Sequence, residues 1–131
     1  MSDAIRGLAG IIVWTQAERF ETMRRFYRDV IGLTPRTDRE QHLSFAWGPP
    51  PHDVRLTIAV HDAIEGGTRE PERIMLHLGV DDIHATADRL RGSGVAFTRE
   101  PEQEPWGGWI ATFHDPDGNT MQLLQALPDA G

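Results

Sequence analysis

Residues 74–99 read IMLHLGVDDIHATADRLRGSGVAFTR and place a strand, a helix and a second strand in close succession. The apolar run Ile74–Val80 is typical of a buried strand. In Asp81–Leu90 apolar residues recur at steps of three and four, which predicts a helix with one buried side. Gly92 is typical of a helix end, and Val95–Arg99 is predicted as a short strand. This stretch therefore predicts a β-α-β unit.

The elements on either side extend the unit and repeat it. Downstream, strands are predicted at Trp109–His114 and Asn119–Leu127, joined by the turn Asp115–Gly118. In that turn a proline presets φ and a glycine accepts positive φ. Upstream, the same order is predicted as a strand at 8–15, a helix at 17–31, and strands at 33–39, 42–47 and 54–60. The chain therefore has the pattern β-α-β-β-β twice.

The length of 131 residues predicts one α+β domain spanning residues 1–131. We expect two modules, at residues 7–61 and 73–127, joined by a polar linker at residues 62–72 that contains glycine and proline. A module of this size cannot bury both faces of its own sheet, so the two βαβββ modules are expected to pair into a cupped, barrel-like mixed sheet. The cup between them is the expected ligand site.

Composition excludes several classes of partner. There are 13 Lys and Arg against 20 Asp and Glu, a formal net charge of −7. An acidic chain argues against nucleic acid, because phosphate binding needs a basic face. No stretch approaches the roughly 18 consecutive apolar residues of a membrane span. The N-terminus shows no signal peptide and the chain has no cysteine, so a cytoplasmic location is expected.

Three segments carry a family resemblance. They are FYRDVIGL at residues 26–33, LGVDDI at residues 78–83, and FHDPDGN at residues 113–119 after PWGG at 105–108. Together with the repeated order of elements, they resemble the vicinal oxygen chelate superfamily, which includes glyoxalase I, extradiol dioxygenases, and fosfomycin and bleomycin resistance proteins. The resemblance implies the glyoxalase/bleomycin resistance/dioxygenase fold and a homodimer. It does not imply one reaction, because a fold does not define a function.

The resemblance also implies four positions at which the metal-using members carry ligands. In the second module these positions are Met75 and Gln122; in the first they are Arg55 and either Ala9 or Leu8. A thioether is a poor ligand for a hard divalent ion, and a guanidinium repels one. We therefore expect no metal and no other cofactor at the family's site.

The same positions predict a different kind of site. By strand alternation His77 faces the same side as Met75. Arg55, His77 and Gln122 would then supply a fixed cation, an imidazole and an amide. The sequence assigns no catalytic residue.

Three tryptophans are candidates for the mouth of the cup: Trp47, Trp106 and Trp109. Their flat rings suit a planar ligand. The alternative is that they pack the strands onto the core.

Two hypotheses of function follow. The first is metal-independent binding of a small, planar or anionic molecule, which resembles the resistance-protein branch of the superfamily. The second is an enzyme, such as a glyoxalase-like lyase, an isomerase or a dioxygenase with an altered metal site, or one that uses His77 as a general base. Metal analysis and a ligand screen distinguish them.

Overall fold

The computed structural model describes residues 2–127, and the predicted tail at residues 128–131 lies outside the described residues. The chain divides into two compact units, one up to Gly66 and one from Gly67 onwards. Each unit contains one four-stranded mixed sheet and one helical segment. The predicted α+β class with two βαβββ modules is confirmed.

The first unit contains four strands and a helical segment. The strands are β1 (Gly10–Thr15), β2 (Thr37–Arg39), β3 (His42–Trp47) and β4 (Val54–Val60). The sheet order is β1-β4-β3-β2, with β1 parallel to β4 and the other pairs antiparallel. The predicted strand at 33–39 is thus shortened to its last three residues.

The helical segment ends one residue before its predicted end, at Val30, and has three hydrogen-bonding patterns. It begins as a 3₁₀ turn at Ala17–Arg19, continues as α1 (Phe20–Arg24) and ends as a π-helix at Arg25–Val30. The amide of Ile31 donates to the Phe26 carbonyl at 2.8 Å, the spacing of a π-helix. Sequence periodicity does not distinguish these patterns, because the same apolar stripe serves all three.

The core of the first unit lies between this helical segment and one face of the sheet. Tyr27 is fully buried. The other core residues from the helical segment and the strands are Phe20, Met23, Leu43, Phe45, Leu56 and Ile58.

A buried arginine fastens the helical segment to the β2–β3 turn. Arg24 is 8% exposed. Its Nη2 donates to the carbonyls of Arg39 at 2.8 Å and Glu40 at 3.1 Å, and its Nη1 pairs with Asp38. A buried guanidinium needs such partners to offset its lost hydration. Phe20 adds a ring 4.7 Å from the guanidinium carbon.

The second unit repeats the arrangement. Its elements are β5 (Met75–Gly79), α2 (Ile83–Gly92), β6 (Phe97–Gln103), β7 (Trp109–His114) and β8 (Thr120–Gln125). The order is β5-β8-β7-β6, with β5 parallel to β8. β6 runs four residues beyond its predicted end and has two register shifts against β7. Asp82 caps α2 by accepting from the Ala85 amide at 3.1 Å.

The predicted turn between β7 and β8 is present. The amide of Gly118 donates to the Asp115 carbonyl at 2.9 Å, and Gly118 has φ of 88°. Among the helices of residues 2–127, none is both long and apolar enough to cross a membrane.

Candidate functional site

Each sheet has one face against its helical segment and a second face that we call the far face. On the first sheet the far face carries Arg55 and Thr57 of β4. Cα partners in neighbouring strands point to the same side. The register therefore adds Gly10 and Ile12 as the partners of these two residues, and Trp14 one step further along β1.

On the far face of the second sheet, one row of residues joins three strands. His77 on β5 is the Cα partner of Gln122 on β8, which is the partner of Thr112 on β7. Gln122 Nε2 donates to Thr112 Oγ1 at 3.0 Å. The structure therefore brings together two of the predicted site residues, His77 and Gln122, and adds Thr112, which sequence reasoning missed.

This row leaves hydrogen-bonding capacity unused. His77 is exposed. Over residues 2–127 its imidazole makes no hydrogen bond, and the amide oxygen of Gln122 accepts none. The row thus presents one amide acceptor and one imidazole, a group able to donate and accept.

Arg55 lies on the first sheet beside a buried carboxylate. Its Nε donates to Asp53 Oδ2 at 3.0 Å, and Arg36 Nη1 donates to the same oxygen at 2.7 Å. The Asp53 side chain is 3% exposed, whereas that of Arg55 is 53% exposed. The hydrogen bond from Arg55, helped by the charge of Arg36, holds the pKa of Asp53 below its ordinary value. Arg55 was predicted as a site residue from the sequence, but no local pattern indicates its contacts with Asp53 and Arg36.

The three predicted tryptophans lie elsewhere. Trp47 is the partner of Val54, so it points to the face opposite Arg55. Trp109 is the partner of Gln125 and lies on the helix side of its sheet, with its ring 4.9 Å from that of His84 on α2. The structure does not bring either ring to a far face.

Trp106 covers a glycine in its own turn. A Cβ added to Gly108 would lie 2.0 Å from the Trp106 ring, so the ring lies against the backbone there. Trp106 is 48% exposed. The packing alternative from the sequence therefore describes the observed contacts of Trp106 and Trp109.

Trp14 is the tryptophan that shares a far face with Arg55. It is the partner of Ala59, is 41% exposed, and has its ring 5.1 Å from that of His61 in an edge-on arrangement. The signal that would have found it is strand alternation. Side chains two residues apart in a strand share a face. If Leu8 is taken as the family's ligand position, Trp14 lies on the far face with it; if Ala9 is taken, Trp14 faces the helix, because a one-residue slip turns every side chain to the other face.

The donors at the family's four metal positions do not suit a hard divalent ion. When the alternation of β1 is continued back from Gly10, the partner of Arg55, it puts Leu8 and not Ala9 on the face of Arg55. At the other two positions, Met75 is a thioether, a poor ligand for such an ion, and Gln122 supplies one neutral amide oxygen in place of a carboxylate. Within the described range 2–127, no three His, Asp or Glu side chains are grouped as metal ligands. The expected absence of a resident metal stays a prediction.

The comparisons with known proteins define the class. The chain belongs to the Glyoxalase/Bleomycin resistance protein/Dioxygenase superfamily, whose family model matches residues 13–123. This confirms the resemblance seen in the sequence.

Two relatives in sequence are informative. The chain is 30% identical to a lactoylglutathione lyase of Haemophilus influenzae over 111 residues, which cover 77% of this chain and 80% of the relative. It is 24% identical to the uncharacterized protein YetH of Bacillus subtilis, over 92% of this chain and 99% of that protein.

Two solved structures show the same fold. TnmS3, an antibiotic binding protein from Streptomyces sp. CB03234, has a TM-score of 0.70 and 27% identity, and the match covers 96% of this chain and 100% of TnmS3. A glyoxalase/bleomycin resistance protein/dioxygenase from Nocardioides has a TM-score of 0.74 and 18% identity, covering 98% and 89% of the two chains.

Proposed function

We propose that this protein binds a small, planar or anionic molecule without a resident metal ion. The observation that carries the proposal is the set of side chains at the family's metal positions. Leu8 and Met75 lack a hard donor, Arg55 is a cation, and Gln122 supplies only one neutral amide oxygen, so the set does not suit a hard cation. Arg55 and Gln122 can instead contact an organic ligand directly, with His77 as the strand partner of Gln122. The likeness to TnmS3, described as an antibiotic binding protein, supports a binding role.

The far face of the second sheet supplies directional contacts. The hydrogen bond to Thr112 fixes the Gln122 amide, so its oxygen is held in one place as an acceptor. His77 adds an imidazole beside it. Fixed polar groups of this kind orient a ligand in a small-molecule site.

The far face of the first sheet supplies an apolar surface and a charge. Trp14 and Ile12 are 41% and 51% exposed and lie on the side of Arg55. Exposed aromatic surface of this kind suits a planar ligand. We assign this role to Trp14 in place of Trp47, Trp106 and Trp109. The expectation that the two modules enclose one cup stays a prediction.

A titration with 2-naphthoate, a planar anion, tests the proposal. In buffer with EDTA, binding to the first sheet should move the indole N–H resonance of Trp14 saturably in ¹H–¹⁵N spectra. Binding to the second sheet should move the side-chain amide resonances of Gln122, and Gln122→Ala should weaken it by about 1–2 kcal/mol. Gln103→Ala is the matched control, because Gln103 donates its own side-chain hydrogen bond on β6, to Gly107, at 3.0 Å. Binding that appears only after a divalent metal is added would contradict the proposal.

A second candidate function is supported by one comparison. The 30% identity to the Haemophilus influenzae lactoylglutathione lyase favours a metal-dependent lyase of the same superfamily. Activity in a lactoylglutathione lyase assay with added nickel or zinc, lost on Gln122→Ala, would support this candidate. The donor set argues against it, since one of its four positions holds an arginine.

We also propose that the protein forms a homodimer in the cytoplasm. Each sheet ends in edge strands, β1 and β2 in the first and β5 and β6 in the second, and open edges favour pairing with another chain. Sedimentation equilibrium should give about twice the monomer mass of 14.7 kDa, and the monomer mass at micromolar concentration would contradict this.

A further inference from the structure

Two arginines converge on one carboxylate oxygen in the first unit. Arg36, just before β2, and Arg55, on β4, both donate to Asp53 Oδ2, at 2.7 and 3.0 Å. Asp53 is buried, so the carboxylate acts as a fixed anchor, while the arginine side chains are 45% and 53% exposed. Two guanidinium groups are therefore held side by side with much of their surface in solvent.

Most of the donors of this pair are unused. A guanidinium carries five N–H donors. Arg36 commits Nη1 and Arg55 commits Nε, and within the part of the chain that the structure describes neither side chain makes another hydrogen bond or ion pair. The three groups together carry one net positive charge on a chain whose formal net charge is −7.

Stabilisation of the fold alone does not account for two arginines on Asp53. One arginine is enough to neutralise Asp53, and a half-exposed ion pair adds only about 0–1 kcal/mol to stability. A second arginine at the same oxygen instead places two cations in mutual repulsion. Two guanidinium groups that are held by one carboxylate and keep free N–H donors in solvent can bind a carboxylate or phosphate.

We infer that Arg36 and Arg55, positioned by Asp53, form a binding site for the oxyanion group of a small-molecule ligand. This inference rests on the proposed binding function and adds Arg36 as a binding residue. Asp53 is a positioning residue, since it acts through the two arginines.

The position of the pair also limits the size of the ligand. The Cα partner of Trp14 is Ala59, which lies four residues after Arg55 on β4. At ~3.3 Å per residue, the backbone positions of Arg55 and Trp14 are roughly 13 Å apart along the strand. A ligand that uses both is elongated, with its acidic group at one end and its planar part at the other.

Small probes test the arginine pair separately from Trp14. Benzoate, phenyl phosphate and benzamide are titrated into the ¹⁵N-labelled full chain, and the Nε–H resonances of the arginines are followed. We expect benzoate or phenyl phosphate to move those of Arg36 and Arg55 saturably, and neutral benzamide to leave them in place. The stronger of the two anions shows whether the site prefers carboxylate or phosphate.

Substitutions give the second readout. Arg36→Gln and Arg55→Gln should each weaken anion binding about tenfold or more, and Arg36→Lys, which keeps the charge but not the fork, should fall between Arg36→Gln and the wild type. Arg73→Gln is the matched control, because Arg73 is 70% exposed and pairs only with Glu70 among the described residues. It removes the same charge and should change binding by less than about twofold.

Two results would overturn the inference: anions that move neither arginine in the wild-type chain, or equal affinity in Arg36→Gln and Arg73→Gln. If 2-naphthoate still moves the Trp14 resonance in that case, the proposed function stands and only the oxyanion site fails. If the anions bind the arginine pair, the oxyanion site stands whether or not 2-naphthoate also moves the Trp14 resonance.

Discussion

Replacing Arg24 with methionine should destabilise the first unit by about 2–4 kcal/mol. The substitution removes two hydrogen bonds from a charged donor to the carbonyls of Arg39 and Glu40, at 2.8 and 3.1 Å, each worth about 1.5–3 kcal/mol. Water can reach a turn carbonyl, and Asp38 keeps Arg28 as a partner at 2.9 Å, so the sum is reduced. Methionine retains the apolar stem that packs near Phe20.

Urea denaturation followed by circular dichroism measures this change. At a slope of about 1.5 kcal/mol/M, the midpoint of unfolding should fall by about 1.3–2.7 M. Arg25→Met, at the exposed neighbouring position, is the control and should stay within about 0.5 kcal/mol of the wild type. Equal effects of the two substitutions would refute the assignment of Arg24 as the residue that fastens the helical segment to the β2–β3 turn.

Three further substitutions test other parts of the account. Asp53→Asn should lower the free energy of unfolding at neutral pH. Because the native pKa of Asp53 is lowered, the difference in unfolding free energy between variant and wild type should shrink as the pH falls below about 3.9 through that native pKa. A difference that is independent of pH in urea titrations would contradict this. Trp109→Ala should lower stability by about 2–3 kcal/mol through lost packing against His84 while leaving 2-naphthoate affinity unchanged, and weakened binding in a chain of normal stability would restore Trp109 to the ligand site. Gly118→Ala, at φ of 88°, should cost about 1–2 kcal/mol, whereas Gly92→Ala, in a helix with open space at its Cβ position, should be neutral or stabilising by thermal unfolding; equal effects would contradict the turn geometry.

Local chemistry makes much of this fold predictable from the sequence. The strands at Trp109–His114 and Val54–Val60 are observed with their predicted ends, because each is an apolar run bounded by polar or turn-forming residues. The Asp115–Gly118 turn follows from proline and glycine at fixed positions. The β6 strand extends to Gln103 although Arg99–Glu102 is polar, because pairing with β7 and not propensity decides its length.

The candidate site was predictable only where side-chain direction followed from strand alternation. His77 and Gln122 are Cα partners and so lie on one face, and both lie inside regular strands with a clear register. Trp109 also lies in a strand, but its direction depends on which residue it pairs with. Its partner is Gln125, three residues after Gln122, so Trp109 faces the helix side of the sheet and Gln122 the far face. The contact between Arg36 and Asp53 joins residues 17 apart through a turn, and no local pattern reveals it.

The most direct measurement of the central claim is the affinity for 2-naphthoate of protein stripped with EDTA, compared with the same protein loaded with nickel or zinc. Calorimetry gives both dissociation constants, and elemental analysis gives the metal content of each sample. If Arg55, Met75 and Gln122 contact the ligand directly and no metal ion takes part, the stripped protein binds 2-naphthoate and the two dissociation constants agree within about twofold. Binding that requires about one equivalent of metal per chain, and that is lost on Gln122→Ala, would contradict the account.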